Sequence, residues 1–245
     1  MPFGCLCPVA RDRWYQRGWS FRPAEHPPHG WGRLGAFVDG VYAIAATLLV
    51  IELRPPEDAA PGELGHALAH LGPEYWAYAI GFLQMVAGWL QTRRLDAWMR
   101  GVDHYATLLV LASIGLYALT PFSTSVLARA LGSNDDLGTA VRLLSGLLFV
   151  ALVVFALLLL YSRNAGLLRD DVDPDARTLY LRNAMVVPVV PVVAFALSYD
   201  FPWVGLVLLV GLNVLGLLPL EGHRPPDGAD RGPRSTIRRR PSAER

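Results

Sequence analysis

The stretch RLGAFVDGVYAIAATLLVIEL, residues 33–53, is apolar over the length of a helix and contains one carboxylate, Asp39, well inside it. About 20 apolar residues cross the hydrocarbon core of a bilayer as an α-helix. A charge in that region costs roughly 2.5 to 3.5 kcal/mol, so it persists mainly where it faces a helix bundle, a partner or water. The stretch therefore predicts a membrane helix with a transport-type function.

The composition of the whole chain supports a membrane protein. Its 245 residues are 53% hydrophobic with a mean hydropathy of +0.32, and only 18% are charged, where a soluble domain has about a quarter. Together with the first helix, five further uncharged runs of near-membrane length predict six spans and an all-α membrane domain over residues 32–220. The five runs are residues 75–92, 105–128, 143–162, 183–199 and 201–220.

The positions of the arginines predict the topology, and all 22 basic residues are arginine. They are concentrated before span 1, after span 2, between spans 4 and 5 and after span 6, whereas the alternate connections hold few. Because positive residues stay on the cytoplasmic side, both termini are expected to be cytoplasmic in a multi-pass inner-membrane protein. We expect residues 1–31 to form a flexible cytoplasmic segment and residues 221–245, which end in RRRPSAER, to form a disordered basic tail.

Helical spacing within the first span separates two faces. At 100° per residue, Ile44, Thr47, Leu48 and Ile51 lie within a narrow arc, and Asp39 lies about 140° around the helix from Ile44. If several copies of the helix meet along this arc, they form a hydrophobic constriction with a hydroxyl layer about one turn further out. The other interpretation is that the arc packs against neighbouring helices, as apolar stripes do in most membrane bundles.

Motifs for catalysis and metal binding are missing from the sequence. It has no HExxH, no GxSxG and no phosphate-binding glycine loop, so we predict neither an enzyme nor a cofactor, and no nucleic-acid partner. The only two cysteines, Cys5 and Cys7, do not have the spacing of a structural zinc site. His66 and His70 are four residues apart, which suits one helix face, but no third ligand is near them in sequence; we predict interfacial helix residues and no metal.

The first span resembles the signature of the transmembrane protein 175 family, the lysosomal-type potassium channels and their bacterial relatives. That signature is Arg, three residues, then Phe-Ser-Asp, which Arg33, Phe37 and Asp39 match, followed by the similar run AIAATLLV. The stretch LTPFSTSVLA, residues 119–128, and the FPW that starts at Phe201 are also similar to the family. The resemblance covers roughly residues 33–220.

The resemblance implies a channel without the TVGYG filter of ordinary potassium channels, and no such loop is in this sequence. Bacterial relatives assemble as tetramers of one six-helix unit, whose first helices line the pore. The family pattern places the constriction at Ile44 and a threonine layer at Thr47, with K⁺ as the permeant ion. Arg33, Phe37, Asp39 and Trp89 are then expected to hold the first helix in place.

Four positions depart from the family pattern. Val38 replaces the motif serine, Thr92 and Arg93 replace two histidines after Trp89, and Val110 replaces an asparagine. Asp39 therefore needs a different partner, and Arg33, Thr92, Arg93 and the Trp89 indole N–H are the candidates that the sequence offers. Removing a buried hydrogen-bonding partner costs roughly 1 to 3 kcal/mol unless the remaining group is satisfied in another way.

Two other functions stay open at this point. One is a proton- or ion-coupled secondary transporter in which Asp39 titrates and span 5 is broken at Pro188 and Pro191. The other is a membrane relative of the channels that does not conduct. The sequence shows no convincing repeat between its two three-helix halves, which counts against a transporter.

Overall fold

The structure, a computed structural model, describes residues 31–54, 56, 60–131, 133–170 and 174–218. The predicted terminal segments 1–31 and 221–245 thus fall almost entirely outside the described residues. The described residues form nine helices: α1 (Gly32–Ile51), α2 (Leu64–Ala69), α3 (Gly72–Trp98), α4 (His104–Tyr117), α5 (Thr120–Ala130), α6 (Asn134–Asn164), α7 (Pro174–Val186), α8 (Val189–Leu197) and α9 (Pro202–Leu217).

Each predicted span contains helix, which confirms the all-α fold. The first, second, fourth and sixth spans are α1, α3, α6 and α9, whereas the third and fifth are each divided into two helices. Within the described residues, four helical segments are long and apolar enough to cross a membrane. α9 has only 16 residues, and α3 is long enough but less apolar because it contains two glutamines and four charged residues. The count of six spans therefore stays a prediction.

Prolines mark both divided spans. Pro121 lies in the first turn of α5, and Pro188 is the residue before α8. Proline fits the start of a helix because it has no backbone N–H to contribute. Pro191 lies inside α8 and is buried. The expected break in span 5 thus occurs at Pro188, and the two pieces of each span follow one another as a bent helix.

α3 packs against α1, α5 and α9, while α6 packs against α4, α5, α7, α8 and α9. Two glycines of α3 allow this close approach. A Cβ atom at Gly81 would lie 2.3 Å from Cγ2 of Thr124, and one at Gly88 would lie 2.4 Å from the Tyr117 ring. Small residues at helix contacts let backbones approach in membrane bundles, so both positions require glycine.

We expect Gly88→Ala to destabilise the protein by about 1 to 3 kcal/mol, because the buried Tyr117 ring must move to make room for the methyl group. Thermal unfolding in detergent micelles measures the change. Gly146→Ala is the matched control, since a Cβ there meets no atom within 4 Å and alanine is the better helix former. Equal unfolding temperatures for the two variants would contradict the packing argument.

The connection after α3 pairs with the connection after α6. The backbone N–H of Arg100 donates to the carbonyl of Leu167, and that of Arg169 donates to the carbonyl of Trp98, each at 2.9 Å. The side chains of Arg100 and Asp170 form an ion pair. The two connections therefore lie at the same end of the bundle, as the predicted topology requires of its second and fourth connections.

Asp103 joins α4 to α6 at this end of the bundle. Its Oδ1 caps α4 by accepting the backbone N–H of Ala106 at 2.8 Å, and its Oδ2 accepts the hydroxyl of Tyr161 at 2.5 Å. A capping carboxylate satisfies one of the unpaired N–H groups of the first turn. One side chain thus fixes the start of one helix against the end of another.

Asp103→Ala is expected to destabilise the protein by about 1 to 2 kcal/mol through loss of the cap alone. Tyr161→Phe removes only the hydroxyl bond, and the two substitutions should not be additive because they share that bond. Unfolding of both single variants and the double variant gives the coupling. If Tyr161→Phe lowers the free energy of unfolding equally in the wild type and in Asp103→Ala, the hydroxyl bond to Asp103 does not contribute to stability.

Candidate functional site

α1 has one face that packs into its own subunit. Val38, Tyr42, Ala45 and Leu49 recur at intervals of three and four residues and are buried, which is the spacing of a single helix face. The helices that cover this face are α3, α4 and α5. Packing within the subunit therefore accounts for the apolar residues on only one side of α1.

The stripe predicted from helical spacing lies on a different side of α1 and is uncovered. Ile44 is 61% exposed, Leu48 43% and Ile51 68%, and Thr47 is exposed as well. Packing against helices of the same chain therefore does not explain the stripe. In a membrane protein such a face contacts lipid, another subunit or the lumen of a pore.

Thr47 directs its hydroxyl hydrogen back to its own helix. Its Oγ1 donates to the carbonyl of Ile44 at 2.7 Å. A hydroxyl has one hydrogen and two acceptor lone pairs, so the oxygen remains able to accept from water or to contact a cation. The Thr47 hydroxyl next to Ile44 along α1 thus offers an oxygen that accepts hydrogen bonds, and it has no free hydrogen to donate.

Asp39 is held by two side chains of α3. The indole Nε1–H of Trp89 donates to its Oδ1 at 2.8 Å. Arg93 Nη1 lies 4.0 Å from Oδ2 and 3.6 Å from Asp96, and its guanidinium lies over the Trp89 ring, 5.7 Å from the centroid. Of the candidates that the sequence offered, the structure brings Trp89 and Arg93 to Asp39. The Arg93 guanidinium thus provides the positive charge nearest to the motif carboxylate.

The other two candidate partners lie elsewhere. Thr92 donates its hydroxyl to the carbonyl of Gly88 at 2.9 Å, and Arg33 has no ion pair with the residues that the structure describes. Arg33 is exposed, and Phe37 is 55% exposed. Any anchoring of α1 by these two side chains therefore requires a surface outside the described part of this subunit.

Two departures from the family pattern are buried valines. Val38 and Val110 stand at the positions of the family's serine and asparagine, and both are almost fully buried in one apolar cluster. An apolar side chain at such a position needs no hydrogen-bonding partner. The chain therefore does not leave an unpaired polar group at these positions.

A second contact joins α1 to α3 and α4, and no local sequence pattern signals it. The hydroxyl of Tyr42 lies 3.4 Å from Oγ1 of Thr92. Since Thr92 already gives its single hydrogen to a backbone carbonyl, Tyr42 is the donor. The Tyr42 ring also packs against the Tyr117 ring, with centroids 5.7 Å apart. The inner face of α1 is thus fixed by polar and aromatic contacts as well as by apolar packing.

A cavity of about 560 Å³ lies between α3, α6, α7 and α9. Gln91, Asn183 and Asn213 supply polar groups to the lining, Arg94 and Asp175 supply charged ones, and most of the other lining residues are apolar. None of the lining residues belongs to α1. The cavity is therefore separate from the exposed stripe.

Comparison with known proteins finds bacterial relatives named potassium channels, and mouse and rat relatives named endosomal/lysosomal proton channels. The family model described as "Endosomal/lysosomal potassium channel TMEM175" matches residues 33–121. A potassium channel of Streptomyces collinus is 33% identical over 156 residues, which are 63% of this chain and 76% of the relative. A potassium channel of Chamaesiphon minutus is 32% identical over 181 residues, which are 70% and 86% of the two chains.

A solved structure has the same fold. The crystal structure of a lysosomal potassium-selective channel TMEM175 homologue from Chamaesiphon minutus superposes with a TM-score of 0.67 at 26% identity. The match covers 76% of this chain and 95% of the solved chain. The similarity thus extends well beyond the first helix, over nearly the whole length of the solved channel.

Proposed function

Since this chain belongs to the TMEM175 family, we propose that it is a potassium-permeable cation channel with its pathway along the exposed face of α1. The similar proteins of Streptomyces collinus and Chamaesiphon minutus are both named potassium channels. The chain is an integral membrane protein of all-helical fold. The proposal extends these findings to the permeant ion and to the residues that line the pathway.

The observation that carries the proposal is the division of α1 into a packed face and an uncovered one. A helix in the interior of a membrane bundle is covered on most sides, yet Ile44 and Ile51 are more than 60% exposed. A homotetramer in which the uncovered faces meet would bury them around a central axis. Asp39 would then hold α1 from behind, through Trp89 on the same subunit.

In this arrangement Ile44 forms the narrowest ring. An apolar constriction opposes ion passage because it dewets and offers no replacement for the hydration shell of the ion. Leu48 and Ile51 continue the apolar lining, and the Thr47 hydroxyl oxygens supply acceptors beside the ring. Conduction then requires a small widening or wetting at Ile44, so this one ring acts as both gate and selectivity element.

The topology belongs to the same proposal. Six spans with both termini in the cytoplasm place the paired connections after α3 and α6 on the cytoplasmic side, where arginines are concentrated. α1 then enters the membrane from the cytoplasm, and Ile51 lies toward the outer mouth. The inner membrane is the proposed location, with K⁺ as the permeating ion and no cofactor.

Flux into liposomes that contain the purified full-length chain tests the proposal. We expect downhill K⁺ flux that exceeds Na⁺ flux under matched gradients. Flux that requires a second ion or a proton gradient and disappears in Asp39→Asn would instead indicate the coupled transporter. If intact oligomers carry neither ion, the chain is a relative that kept the fold without conduction.

A further inference from the structure

α2 carries a histidine pair whose geometry the sequence did not define. The helix, Leu64–Ala69, lies in the connection between α1 and α3. His66 and His70 are both exposed, and their Nε2 atoms lie 2.9 Å apart. The ring centroids are 4.4 Å apart, with the planes at 83°. Two imidazole nitrogens therefore point at one another on the solvent side of a single helical turn.

This separation matches a pair of adjacent metal ligands. Metal–imidazole bonds are about 2.0 to 2.1 Å long, so an ion bonded to two nitrogens 2.9 Å apart subtends an angle of about 90°. That is the angle between neighbouring ligands in square-planar or octahedral complexes, the geometries of Cu²⁺ and Ni²⁺. A tetrahedral Zn²⁺ site would need the nitrogens about 3.4 Å apart.

The helix holds the two ligands at this spacing. The backbone N–H of His70 lies within hydrogen-bonding distance of the carbonyl of His66, at 3.2 Å, so the residues are one turn apart on the same face. In the metal-free pair, one ring donates its Nε2 hydrogen to the other. An ion bonded to both nitrogens lies about 1.4 Å to one side of the line that joins them. Both rings therefore turn toward the ion, and the shared Nε2 hydrogen is released or shifts to Nδ1.

We propose that His66 and His70 form a binding site for a divalent transition-metal ion on the exposed face of α2. The prediction of no metal relied on the lack of a third ligand, and the described residues contain no group of three metal-binding side chains. Water fills the remaining positions, which makes the site labile and exchangeable. The site depends on α2 alone and does not require the proposed channel function.

Ni²⁺ binding to the full-length protein in detergent tests the site by isothermal titration. The protein is purified through a tag without histidine, because a polyhistidine tag would mask the signal. The chain also has His26, His29, His104 and His223, so binding is assigned by difference. His66→Ala and His70→Ala each remove one ligand, and alanine preserves the helix. His104→Ala is the matched control, and Mg²⁺, which prefers oxygen ligands, is the control ion.

We expect the wild type and His104→Ala to bind one Ni²⁺ ion per chain at this site. In His66→Ala and His70→Ala the Ni²⁺ affinity of the site should be at least tenfold lower. Cu²⁺ should bind more tightly than Ni²⁺, and Mg²⁺ should show no difference among the variants. Equal Ni²⁺ binding by the wild type and both pair variants overturns the proposal, as does a wild type that binds no Ni²⁺. Tighter Zn²⁺ than Cu²⁺ binding would contradict the geometric assignment.

Discussion

Ile44→Asn is expected to raise cation flux about tenfold or more and to bring the ratio of K⁺ to Na⁺ flux close to one. The amide wets the apolar ring and offers polar groups to a partly dehydrated ion. A reduction of about 1.4 kcal/mol in the barrier already gives a tenfold increase in rate. Liposome flux of the two ions, measured on protein of equal oligomer content, gives both quantities.

Val50→Asn is the control for this substitution. Val50 is also an apolar β-branched residue on the outer half of α1 and is 51% exposed, but it lies about 120° around the helix from Ile44. It should leave flux and selectivity near the wild-type values. If both substitutions raise the leak equally, the effect comes from a disturbed helix; if neither does, Ile44 is not in the ion pathway.

Asp39→Ala is expected to reduce the recovery of the proposed tetramer in mild detergent severalfold, because it leaves the Trp89 indole N–H without its acceptor. An unsatisfied donor costs about 1 to 3 kcal/mol when it is fully buried, and this one is partly buried within the subunit. α1 must also keep its orientation for the uncovered faces to meet. Size-exclusion chromatography with light scattering measures the oligomer. Asp39→Ala protein that remains fully tetrameric and conducts normally would count against the anchoring role.

Asp39→Asn separates the hydrogen bond from the charge. The amide oxygen still accepts from Trp89, whereas the attraction to Arg93 is lost. Exposed ion pairs contribute about 0 to 1 kcal/mol, and Arg93 and Asp39 are 4.0 Å apart, so losing this attraction should matter little. We therefore expect the Asp39→Asn protein to assemble much better than the Asp39→Ala protein. Trp89→Phe should resemble Asp39→Ala. Equal defects in Asn and Ala would mean that the charge, and not the hydrogen bond, holds α1.

The sequence was sufficient for the fold class and for the two faces of α1. Apolar length located a helical segment at each predicted position, and the 100° spacing separated Ile44 from Asp39 without any contact information. The interruption of span 3 is located only by the structure. For span 5 the sequence named Pro188 and Pro191, and the structure selects Pro188, because prolines both start and kink helices in membranes and composition alone does not distinguish the two.

The sequence alone did not determine which side chain bonds to Asp39, and the reason is physical. Arg33, Thr92, Arg93 and Trp89 all carry donors, and selecting among them requires the rotation of α1 against α3. The same rotation brings Val38 into the core, where an apolar side chain needs no hydrogen-bonding partner. The Tyr42–Tyr117 contact and the Asp103–Tyr161 bond join residues more than 50 positions apart, so no local pattern signals them.

The exposed stripe of α1 is tested most directly by silver block of single cysteines. Ile44→Cys and Val50→Cys are placed in a chain whose native Cys5 and Cys7 are serine, and K⁺ flux is followed as Ag⁺ is added. Ag⁺ is a small cation that enters a cation pathway and bonds to a thiolate. We predict that flux through Ile44→Cys stops while flux through Val50→Cys continues. Block of Val50→Cys with Ile44→Cys unaffected would contradict the pathway along this face.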